Sequence, residues 1–371
     1  MVKQFLWCII IIHMRCGAYA VEDFLQFLSL RQKIGQLFMV AAASSFEQPT
    51  EQLASQLVAS PYRMDQAYIE YLIREYHIGG VCWLFRSTPE KQVALTNHYQ
   101  SLSKIPLLIA QDCEWGLAMR LDTAMQFPKA AQLGAVQNKQ LIYEIAKEIG
   151  MQCKNIGVHM NLAPVVDVNS NPQNPVIGVR SFGSDQKLVA QCGILFAQGL
   201  HAGGVLSCAK HFPGHEDTSI DSHSDLPVIL HDHHRLDAIE LYPFKKMIEA
   251  GVDAVMVGHL LVLSLDSLLP ATFSKNIIVD LLRKKLNFNG LIITDGLGMK
   301  ALTKYYKSGE IELKALLAGN DMLLCPIDLP KAVELIEKAV KEDRIAESYI
   351  DERLLKILRI KEKLGLLGAR K

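Results

Sequence analysis

The sequence carries no excess charge of either sign, because 39 Lys and Arg residues balance 39 Asp and Glu residues among 371. Nucleic-acid-binding surfaces are typically basic, so this balance argues against a nucleic-acid partner. The sequence also has no solenoid-type repeat and no low-complexity segment. A hydrophobic content of 50% is ample for a large core, and α/β barrels of this size fold as one domain.

Closely spaced cysteine pairs are also absent. Eight cysteines occur, but none forms a CxxC motif, which excludes the common zinc pattern and a dense disulfide framework. Cys8 and Cys16 lie near the N-terminus, and four of the other six lie in or beside predicted strands or helices. We expect these to be small buried hydrophobic residues, and a disulfide remains an alternative.

The apolar run near the N-terminus is too short to span a bilayer. Lys3 precedes the apolar residues 5–12, and Ala18 and Ala20 give a small-x-small cleavage pattern. The pattern predicts a signal peptide over residues 1–20 and a catalytic domain over 21–371. We therefore expect a periplasmic or secreted protein without stable membrane insertion after cleavage. An uncleaved anchor or a cytoplasmic location is the alternative.

Short apolar runs alternate with amphipathic segments along the chain. The runs predict eight strands, at 35–41, 79–85, 107–112, 159–163, 205–210, 254–259, 291–295 and 321–325. The segments predict helices at 64–76, 90–103, 138–153, 184–202, 235–250, 275–286, 309–319, 329–341 and 346–365. This alternation indicates a buried parallel sheet and favours a single (β/α)₈ TIM barrel over a doubly wound sheet.

Polar residues follow the predicted strands at their carboxyl ends, where barrel enzymes place their active sites. These residues are Asp112, Asp167, Lys210, His211, His259 and Asp295. Small residues follow Asp295, so a bulky ligand could approach a carboxylate that acts as nucleophile, base or metal ligand. A helix N-cap or an ion pair is the structural alternative for Asp295.

The segment 210–223 is unusually rich in titratable groups, with three His, two Asp, one Glu and one Lys in fourteen residues. Asp221 and His223 are two residues apart and lie on one side of an extended segment. The carboxylate would then fix the imidazole tautomer and leave the other nitrogen to move a proton. The alternatives are a structural turn and a metal site, the latter built from His211, His215, Asp217 and His223.

Arg120 and Arg180 are further candidates, because guanidinium groups suit carboxylates and sugar hydroxyls. With Asp112, Lys210 and His211 around one barrel mouth, they would suit a polyhydroxylated, partly anionic ligand. Surface ion pairing is the alternative for Arg120. Trp83 and Trp115 flank strand ends, where they would either stack on a sugar face or pack structurally.

Residues 210–227 resemble the KHFPGHGDTxxDSHxxLP signature of family 3 glycoside hydrolases, in particular bacterial β-N-acetylhexosaminidases of the NagZ type. The resemblance extends over residues 28–366 through three further motifs in the same order. They are Asp112-x-Glu114-x-Gly116, the NPxIGxRSFG-like residues 174–183, and residues 293–295 before Met299.

The resemblance implies a retaining exo-β-N-acetylglucosaminidase that uses no cofactor and no metal. Asp295 matches the nucleophile, and His223 matches an acid/base residue held by Asp221. The implied substrate is a peptidoglycan fragment, N-acetylglucosamine linked β-1,4 to 1,6-anhydro-N-acetylmuramic acid. The residues that match the sugar-binding positions are Asp112, Arg120, Arg180, Lys210 and His211. A small carbohydrate is thus the expected partner, and a monomer is the expected state.

Four residues depart from the family pattern, and one of them, Cys113, replaces a glutamine. Trp115 replaces a glycine and Leu117 replaces an arginine, so both are expected to reshape the sugar pocket. Glu216 replaces the glycine before Asp217, and its charge is expected to raise the pKa of His223.

Other functions remain open at this point. Within the same family they are another sugar specificity, such as that of a β-glucosidase, and phosphorolysis instead of hydrolysis. From other classes they are a metal-dependent hydrolase and a sugar-binding protein without catalysis.

Overall fold

The computed structural model describes residues 21–43, 62–171, 174, 176–215 and 225–367. The predicted signal peptide lies outside these ranges. So do Glu216, Asp217, Asp221 and His223.

The described strands are short and, in the barrel, buried along their length. In chain order they are β1 Phe38–Ala42, β2 Gly80–Trp83, β3 Leu108–Gln111, β4 Met160–Asn161, β5 Leu206–Phe212, β6 Val228–Ile229, β7 Ala254–Val257, β8 Leu261–Val262, β9 Leu291–Thr294 and β10 Leu323–Leu324. Each of the eight predicted runs overlaps one of them, and β1 and β5 extend beyond the ends of their predicted runs. The pair β6 and β8 was not predicted, and it forms a separate parallel ribbon beside the barrel.

Within the described residues, eight parallel strands are joined in the order β10-β1-β2-β3-β4-β5-β7-β9. The sheet closes because Ile293 of β9 bridges Met322, which precedes β10. The amide of Thr294 also donates to the carbonyl of Met322 at 3.1 Å. Closure confirms the (β/α)₈ barrel and excludes the doubly wound alternative.

Helices surround this barrel. The α-helices are α1 Val21–Phe24, α2 Leu30–Gly35, α3 Gln66–Tyr76, α4 Pro89–Leu102, α5 Ala130–Ala135, α6 Gln140–Asn155, α7 Gln186–Gly203, α8 His233–Ala238, α9 Leu241–Glu249, α10 Lys300–Thr303, α11 Glu310–Ala318, α12 Leu329–Lys341 and α13 Glu347–Lys363. A π-helix spans Asn276–Lys285, and short 3₁₀ helices span Leu25–Phe27, Leu117–Met119, Gly178–Arg180 and Ala271–Phe273.

Side-chain caps start several of the long helices. Asp185 accepts the amide of Leu188 at 2.8 Å ahead of α7, and Asp328 accepts the amide of Lys331 at 3.1 Å ahead of α12. Each cap satisfies an amide that has no partner within the helix. Gly204 ends α7 with φ 90°, a left-handed conformation that favours glycine.

One predicted helix was wrong in its continuity, because the segment 235–250 divides into α8 and α9. Pro243 lies in the first turn of α9. A proline ring clashes with the carbonyl four residues earlier, which here belongs to Ile239, and it supplies no amide hydrogen. A single helix through both residues is therefore disfavoured, and the chain starts a new helix at Leu241.

The last helix packs against the first ones. Helix α13 contacts α1 and α2. Lys33 of α2 forms an ion pair with Glu347 of α13 at 2.8 Å. Lys361, which is fully buried, donates to Oε1 of Gln36 at 2.8 Å, just before β1. The two ends of the described chain are thereby joined at the amino end of the barrel.

The six cysteines in the described ranges are all buried free thiols, as expected for small hydrophobic residues. Trp83 is buried and stacks on Tyr99 with ring centroids 6.1 Å apart, so its role is in packing. Over the residues that the structure describes, no helix has both the length and the apolar character needed to cross a membrane.

Candidate active site

A cavity of about 560 Å³ opens at the carboxyl ends of the barrel strands. Six of the eight predicted site residues line it, namely Asp112, Arg120, Arg180, Lys210, His211 and Asp295. The other two, Asp221 and His223, lie outside the described residues. The barrel therefore brings together side chains that are up to 183 positions apart in the sequence, from 112 to 295.

Asp112 accepts hydrogen bonds from two cations. It directly follows β3, and its carboxylate lies 2.8 Å from Nζ of Lys210 and 2.7 Å from a guanidinium nitrogen of Arg120. Lys210 lies within β5, two strands away in the sheet. Because both cations are held by one carboxylate, they occupy fixed positions in the cavity.

Glu114 forms the second half of this network. Its carboxylate binds Arg180 in a bidentate manner, at 2.9 Å and 2.7 Å, and lies 2.8 Å from Nζ of Lys210. We call Asp112, Glu114, Arg120, Arg180 and Lys210 the ionic network. Glu114 was part of a motif but was not predicted as a site residue, although its position two residues after Asp112 places it on the same loop.

Burial and charge act against each other within the ionic network. Burial alone would raise the pKa of Asp112, but the charges of Lys210 and Arg120 outweigh it and hold this pKa far below its usual range. For Glu114, burial is likewise outweighed by Arg180 and Lys210, and its pKa falls to about 2. Both carboxylates are therefore ionised near neutral pH and present hydrogen-bond acceptors to a ligand.

His211 is oriented by Asp167, which is fully buried after β4. Nδ1 of His211 lies 2.7 Å from the Asp167 carboxylate, so Nδ1 carries the proton and donates it. Nε2 is then directed to the guanidinium of Arg180, at 3.5 Å. Asp167 was recognised as a strand-end residue, but its role in fixing the His211 tautomer was not predicted.

Asp167 also holds the start of the loop that carries the predicted acid/base pair. Its carboxylate accepts the amide of His215 at 3.0 Å. Burial lowers the pKa of His215 to about 4, and the neighbouring His211 contributes in the same direction. His215 is therefore neutral at physiological pH and lines the cavity as an uncharged imidazole.

Asp295 begins a tight turn after β9. The amide of Gly296 donates to Oδ1 of Asp295 at 2.7 Å. Nε2 of buried His259 lies 2.9 Å from the carbonyl of Gly296, and the hydroxyl of Tyr62 accepts the amide of Gly298 at 3.2 Å. Because a carbonyl can only accept, Nε2 of His259 donates. Two side chains thus fix the backbone beside this carboxylate.

Tyr62 and His259 differ in how well the sequence predicts that they lie near the cavity. His259 ends an apolar run, and that position was a usable signal. Tyr62 precedes α3 and lies in no strand, so sequence reasoning missed it. Burial raises the pKa of Tyr62 well above its usual value, and the nearby Cys325 and Asp295 add to the effect. Its hydroxyl therefore remains protonated at all physiological pH values.

The residues that depart from the expected family pattern lie in different places relative to the cavity. Trp115 lines the cavity, while Leu117 is buried and is not part of the lining. The reshaping of the pocket by these two residues stays a prediction, and of the two only Trp115 lies in the lining. Arg120 supplies the guanidinium that reaches Asp112. Glu216 lies outside the described residues.

Over the described ranges, no cluster of three or more His, Cys, Asp or Glu side chains has an arrangement suited to a metal ion. His211 and His215 have ring centroids 6.0 Å apart. Asp217 and His223, the other proposed ligands, are not described. Because only two of the four proposed ligands are described, the metal alternative stays an untested prediction.

Comparison with protein families gives one match across most of the chain. A family model described as "Glycosyl hydrolase family 3 N terminal domain" matches residues 29–360. Beta-hexosaminidase A of Pseudoalteromonas piscicida is 33% identical over 327 residues, covering 79% of this chain and 54% of that protein. Beta-hexosaminidase LpqI of Mycobacterium tuberculosis is 32% identical over 326 residues, covering 84% and 82%.

Solved structures agree with this match. A glycoside hydrolase family 3 beta-N-acetylglucosaminidase from Paenibacillus sp. str. FPU-7 superposes with a TM-score of 0.81 at 37% identity, covering 93% of this chain and 64% of that one. LpqI of M. tuberculosis superposes with a TM-score of 0.78 at 28% identity, covering 92% and 96%. The chain spans 54% and 58% of the length of the first two curated relatives it matches.

Proposed function

Since this chain belongs to the glycosyl hydrolase family 3 N terminal domain family, we propose that it is a retaining exo-β-N-acetylhexosaminidase. It would remove terminal N-acetylglucosamine from peptidoglycan fragments, such as those ending in 1,6-anhydro-N-acetylmuramic acid. The observation that carries the proposal is the cavity in which Asp295 and the ionic network lie together. The printed names of the hexosaminidase relatives support the choice of sugar.

In the first step, the Asp295 carboxylate attacks C1 of the sugar. A covalent glycosyl ester forms, the glycosidic C–O bond breaks, and His223 gives its proton to the departing oxygen. In the second step, His223 takes a proton from water as that water attacks C1, and the ester bond breaks. Asp221 would keep His223 in the productive tautomer. Asp295 and His223 end each cycle in their starting states.

The ionic network is proposed to hold the sugar for this attack. Asp112 and Glu114 are ionised acceptors for hydroxyl groups, and Arg120, Arg180 and Lys210 are donors. His211 adds a fixed imidazole that Asp167 orients. Because these groups already bind one another, they need little reorganisation when a sugar arrives. Export of the chain, as residues 1–20 predict, would apply this activity to murein outside the cytoplasm.

The experiment is an assay of the full chain on 4-nitrophenyl N-acetyl-β-glucosaminide beside the variant Asp295→Ala. We expect the variant to lose about 10⁴-fold or more in kcat, as expected when a nucleophile is removed. Sodium azide should partly restore release of 4-nitrophenol by giving the α-glycosyl azide, since azide fits the space of the lost carboxylate. The matched control is Asp122→Ala, because Asp122 is an exposed partner of Arg86 outside the cavity lining.

The same assay separates the alternatives. Faster turnover of the corresponding glucoside would indicate a glucosidase, and a sugar phosphate formed in phosphate buffer would indicate phosphorolysis. Loss of activity with a chelator would indicate a metal-dependent hydrolase. Binding of N-acetylglucosamine without turnover by the folded protein would indicate a sugar-binding protein.

A further inference from the structure

One cation of the cavity lining lies at the mouth of the cavity. Lys300 lines the cavity and is exposed, whereas every other described lining residue is buried or half-buried. Lys210, by contrast, is only 2% exposed. The two lysines of the lining therefore differ in depth, with Lys210 at the floor and Lys300 at the open side.

Lys300 also differs from the other lining cations in having no ion-pair partner among the residues that the structure describes. Each of the three cations of the ionic network binds a carboxylate of that network at 2.7–2.8 Å. The next lysine along the chain, Lys304, binds Asp225 at 2.7 Å and does not line the cavity. Within the described part of the lining, the Lys300 ammonium is thus available to a ligand.

The described lining carries one more positive than negative charge when its histidines are left out of the count. Its three carboxylates and four cations are Asp112, Glu114, Asp295, Arg120, Arg180, Lys210 and Lys300. The ionic network has one cation in excess, which the Asp295 carboxylate offsets at the floor of the cavity. The unbalanced charge is therefore that of Lys300, at the mouth.

The backbone that carries Lys300 is fixed by hydrogen bonds. The amide of Met299 donates to the carbonyl of Gly296 at 3.0 Å, and the amide of Lys304 donates to the carbonyl of Lys300 at 3.3 Å. Lys300 follows Asp295 by five positions, so one loop carries both the proposed nucleophile and this cation. The long side chain of Lys300 can adjust to a bound group while the turn at Asp295 keeps its shape.

We propose that Lys300 binds a carboxylate of the aglycone, the part of the substrate that leaves, and so makes the enzyme favour anionic over neutral aglycones. This inference rests on the proposed function. A sugar with C1 at Asp295 and hydroxyls at the buried ionic network leaves only the open side of the cavity for the aglycone. Lys300 is the exposed cation on that side, and the anionic groups of a peptidoglycan fragment are the carboxylates of its lactyl group and peptide stem.

The test compares two 2-nitrophenyl N-acetyl-β-glucosaminides that carry either a carboxylate or a carboxamide at position 4 of the ring. The ratio of their kcat/KM values is measured for the full chain and for Lys300→Met. We expect the variant to lower the carboxylate-to-carboxamide ratio by about threefold to fivefold, as for a partly exposed ion pair. Both proteins act on the same two leaving groups, so the intrinsic difference in leaving ability cancels.

Salt gives a second readout of the same contact. At about 1 M sodium chloride the Debye length falls to about 3 Å, so the charge of Lys300 is screened from a carboxylate at the mouth. The wild-type ratio should then approach that of Lys300→Met, whose own ratio should change little. A wild-type ratio that does not respond to salt would count against the proposal.

Matched variants separate a local contact from a change in net charge. Lys300→Arg keeps the charge and should keep the wild-type ratio, whereas Lys300→Glu should lower the ratio further than Lys300→Met. Lys307→Met removes the same charge from an exposed lysine outside the cavity lining and should behave as wild type. Because Lys300 is exposed, none of its variants is expected to disturb folding.

Natural fragments identify which carboxylate is bound. N-acetylglucosamine linked to 1,6-anhydro-N-acetylmuramic acid carries a free lactyl carboxylate, its lactyl amide lacks this group, and its peptide-bearing form carries carboxylates on the stem. A loss of kcat/KM in Lys300→Met for the free acid but not for the amide indicates the lactyl carboxylate. A loss for the peptide-bearing form but not for the amide indicates the stem. Either loss supports the proposal.

The outcomes that count against the proposal are distinct. An unchanged ratio in an active Lys300→Met protein overturns the role of Lys300 alone, and so does a lowered ratio that Lys307→Met reproduces. Absence of wild-type turnover on both aryl glycosides removes the proposed function, and this inference falls with it.

Discussion

Two lysines are buried at opposite ends of the barrel, and their surroundings differ. Lys210, near the carboxyl ends, lies 2.8 Å from both Asp112 and Glu114. Burial alone would lower its pKa, but the two carboxylates outweigh burial and raise it. Lys361, near the amino ends, binds the neutral amide of Gln36, and burial lowers its pKa to about 7. Partners, and not depth, decide whether a buried amine keeps its proton.

The carboxylates at the two ends also have different partners. Near the amino ends, Asp253 accepts the amide of Ser207 at 3.0 Å, and Asp321 accepts the amide of Ile292 at 2.8 Å. Near the carboxyl ends, Asp112 and Glu114 bind side chains that line the cavity. Charged groups at one end are tied to the strands themselves, while those at the other end are available to a ligand. Barrel enzymes show the same division, because residues at the amino-terminal face serve stability and residues at the carboxyl-terminal face serve catalysis.

The largest effect is expected at the carboxyl end, from Lys210→Met. The substitution leaves Asp112 and Glu114 close together with less positive charge, so their pKa values should rise and the sugar should lose a donor. Breaking a buried charge pair costs about 2–5 kcal/mol, so kcat/KM should fall by about 10³-fold. The exposed Lys338→Met is the control. A loss of less than tenfold in kcat/KM would contradict the assigned importance of the ionic network.

A smaller effect is expected at the amino end, from Lys361→Met. It concerns the pH dependence of stability and not the activity. Since the pKa of Lys361 is about 7 when folded and 10.5 when unfolded, the unfolded chain binds more protons between these values. The wild-type free energy of unfolding should therefore gain about 3 kcal/mol relative to the variant between pH 7 and pH 10. Below pH 7 the difference should be constant. Urea denaturation across pH 6–10 measures this difference in the free energy of unfolding. A difference that does not change with pH would show that the pKa of Lys361 is not lowered in the folded protein.

The smallest effect is expected for Tyr62→Phe. Tyr62 lines the cavity, but its hydroxyl binds a backbone amide, as the carboxylates of Asp253 and Asp321 do at the amino end. Loss of its hydroxyl removes the acceptor for the amide of Gly298 in the turn that carries Asp295. The cost of about 1 kcal/mol should lower kcat about fivefold. KM should change less than twofold, since Tyr62 would position the turn and not the sugar. Steady-state kinetics decides this, and a rise in KM with kcat unchanged would point to sugar binding instead.

The sequence predicted the barrel and the charged residues at the strand ends around the cavity, because both depend on local signals. Apolar runs located each of the eight strands, and polar residues at their ends located Asp112, Lys210 and Asp295. Parallel strands bring such ends to one face regardless of their separation in the chain. Asp112, Lys210, His211 and Asp295 were therefore predictable before their distances were known, whereas Arg120 and Arg180 were proposed from their side-chain type and from the family resemblance.

Other contacts could not be predicted, because they depend on three-dimensional packing. Tyr62 lies in no strand, and only the fold brings its hydroxyl to the amide of Gly298. Lys361 looks like an exposed helix residue in a charged segment, and only the packing of α13 on α2 buries it. The ribbon of β6 and β8 was missed because it pairs residues 228–229 with residues 261–262, and no local pattern in the sequence marks that pairing.

The contact of α13 with the first helices has a consequence for synthesis. Glu347 and Lys361 bind Lys33 and Gln36, residues that leave the ribosome more than three hundred positions earlier. The amide of Gln36 and the ammonium of Lys33 gain these partners only when the final helix has emerged. The first strand can pair with β2 early, but the segment just before it is expected to stay loosely held until late in translation, because contacts of such long range form late. Chaperone occupancy on stalled nascent chains should consequently persist until residues 347–361 are exposed.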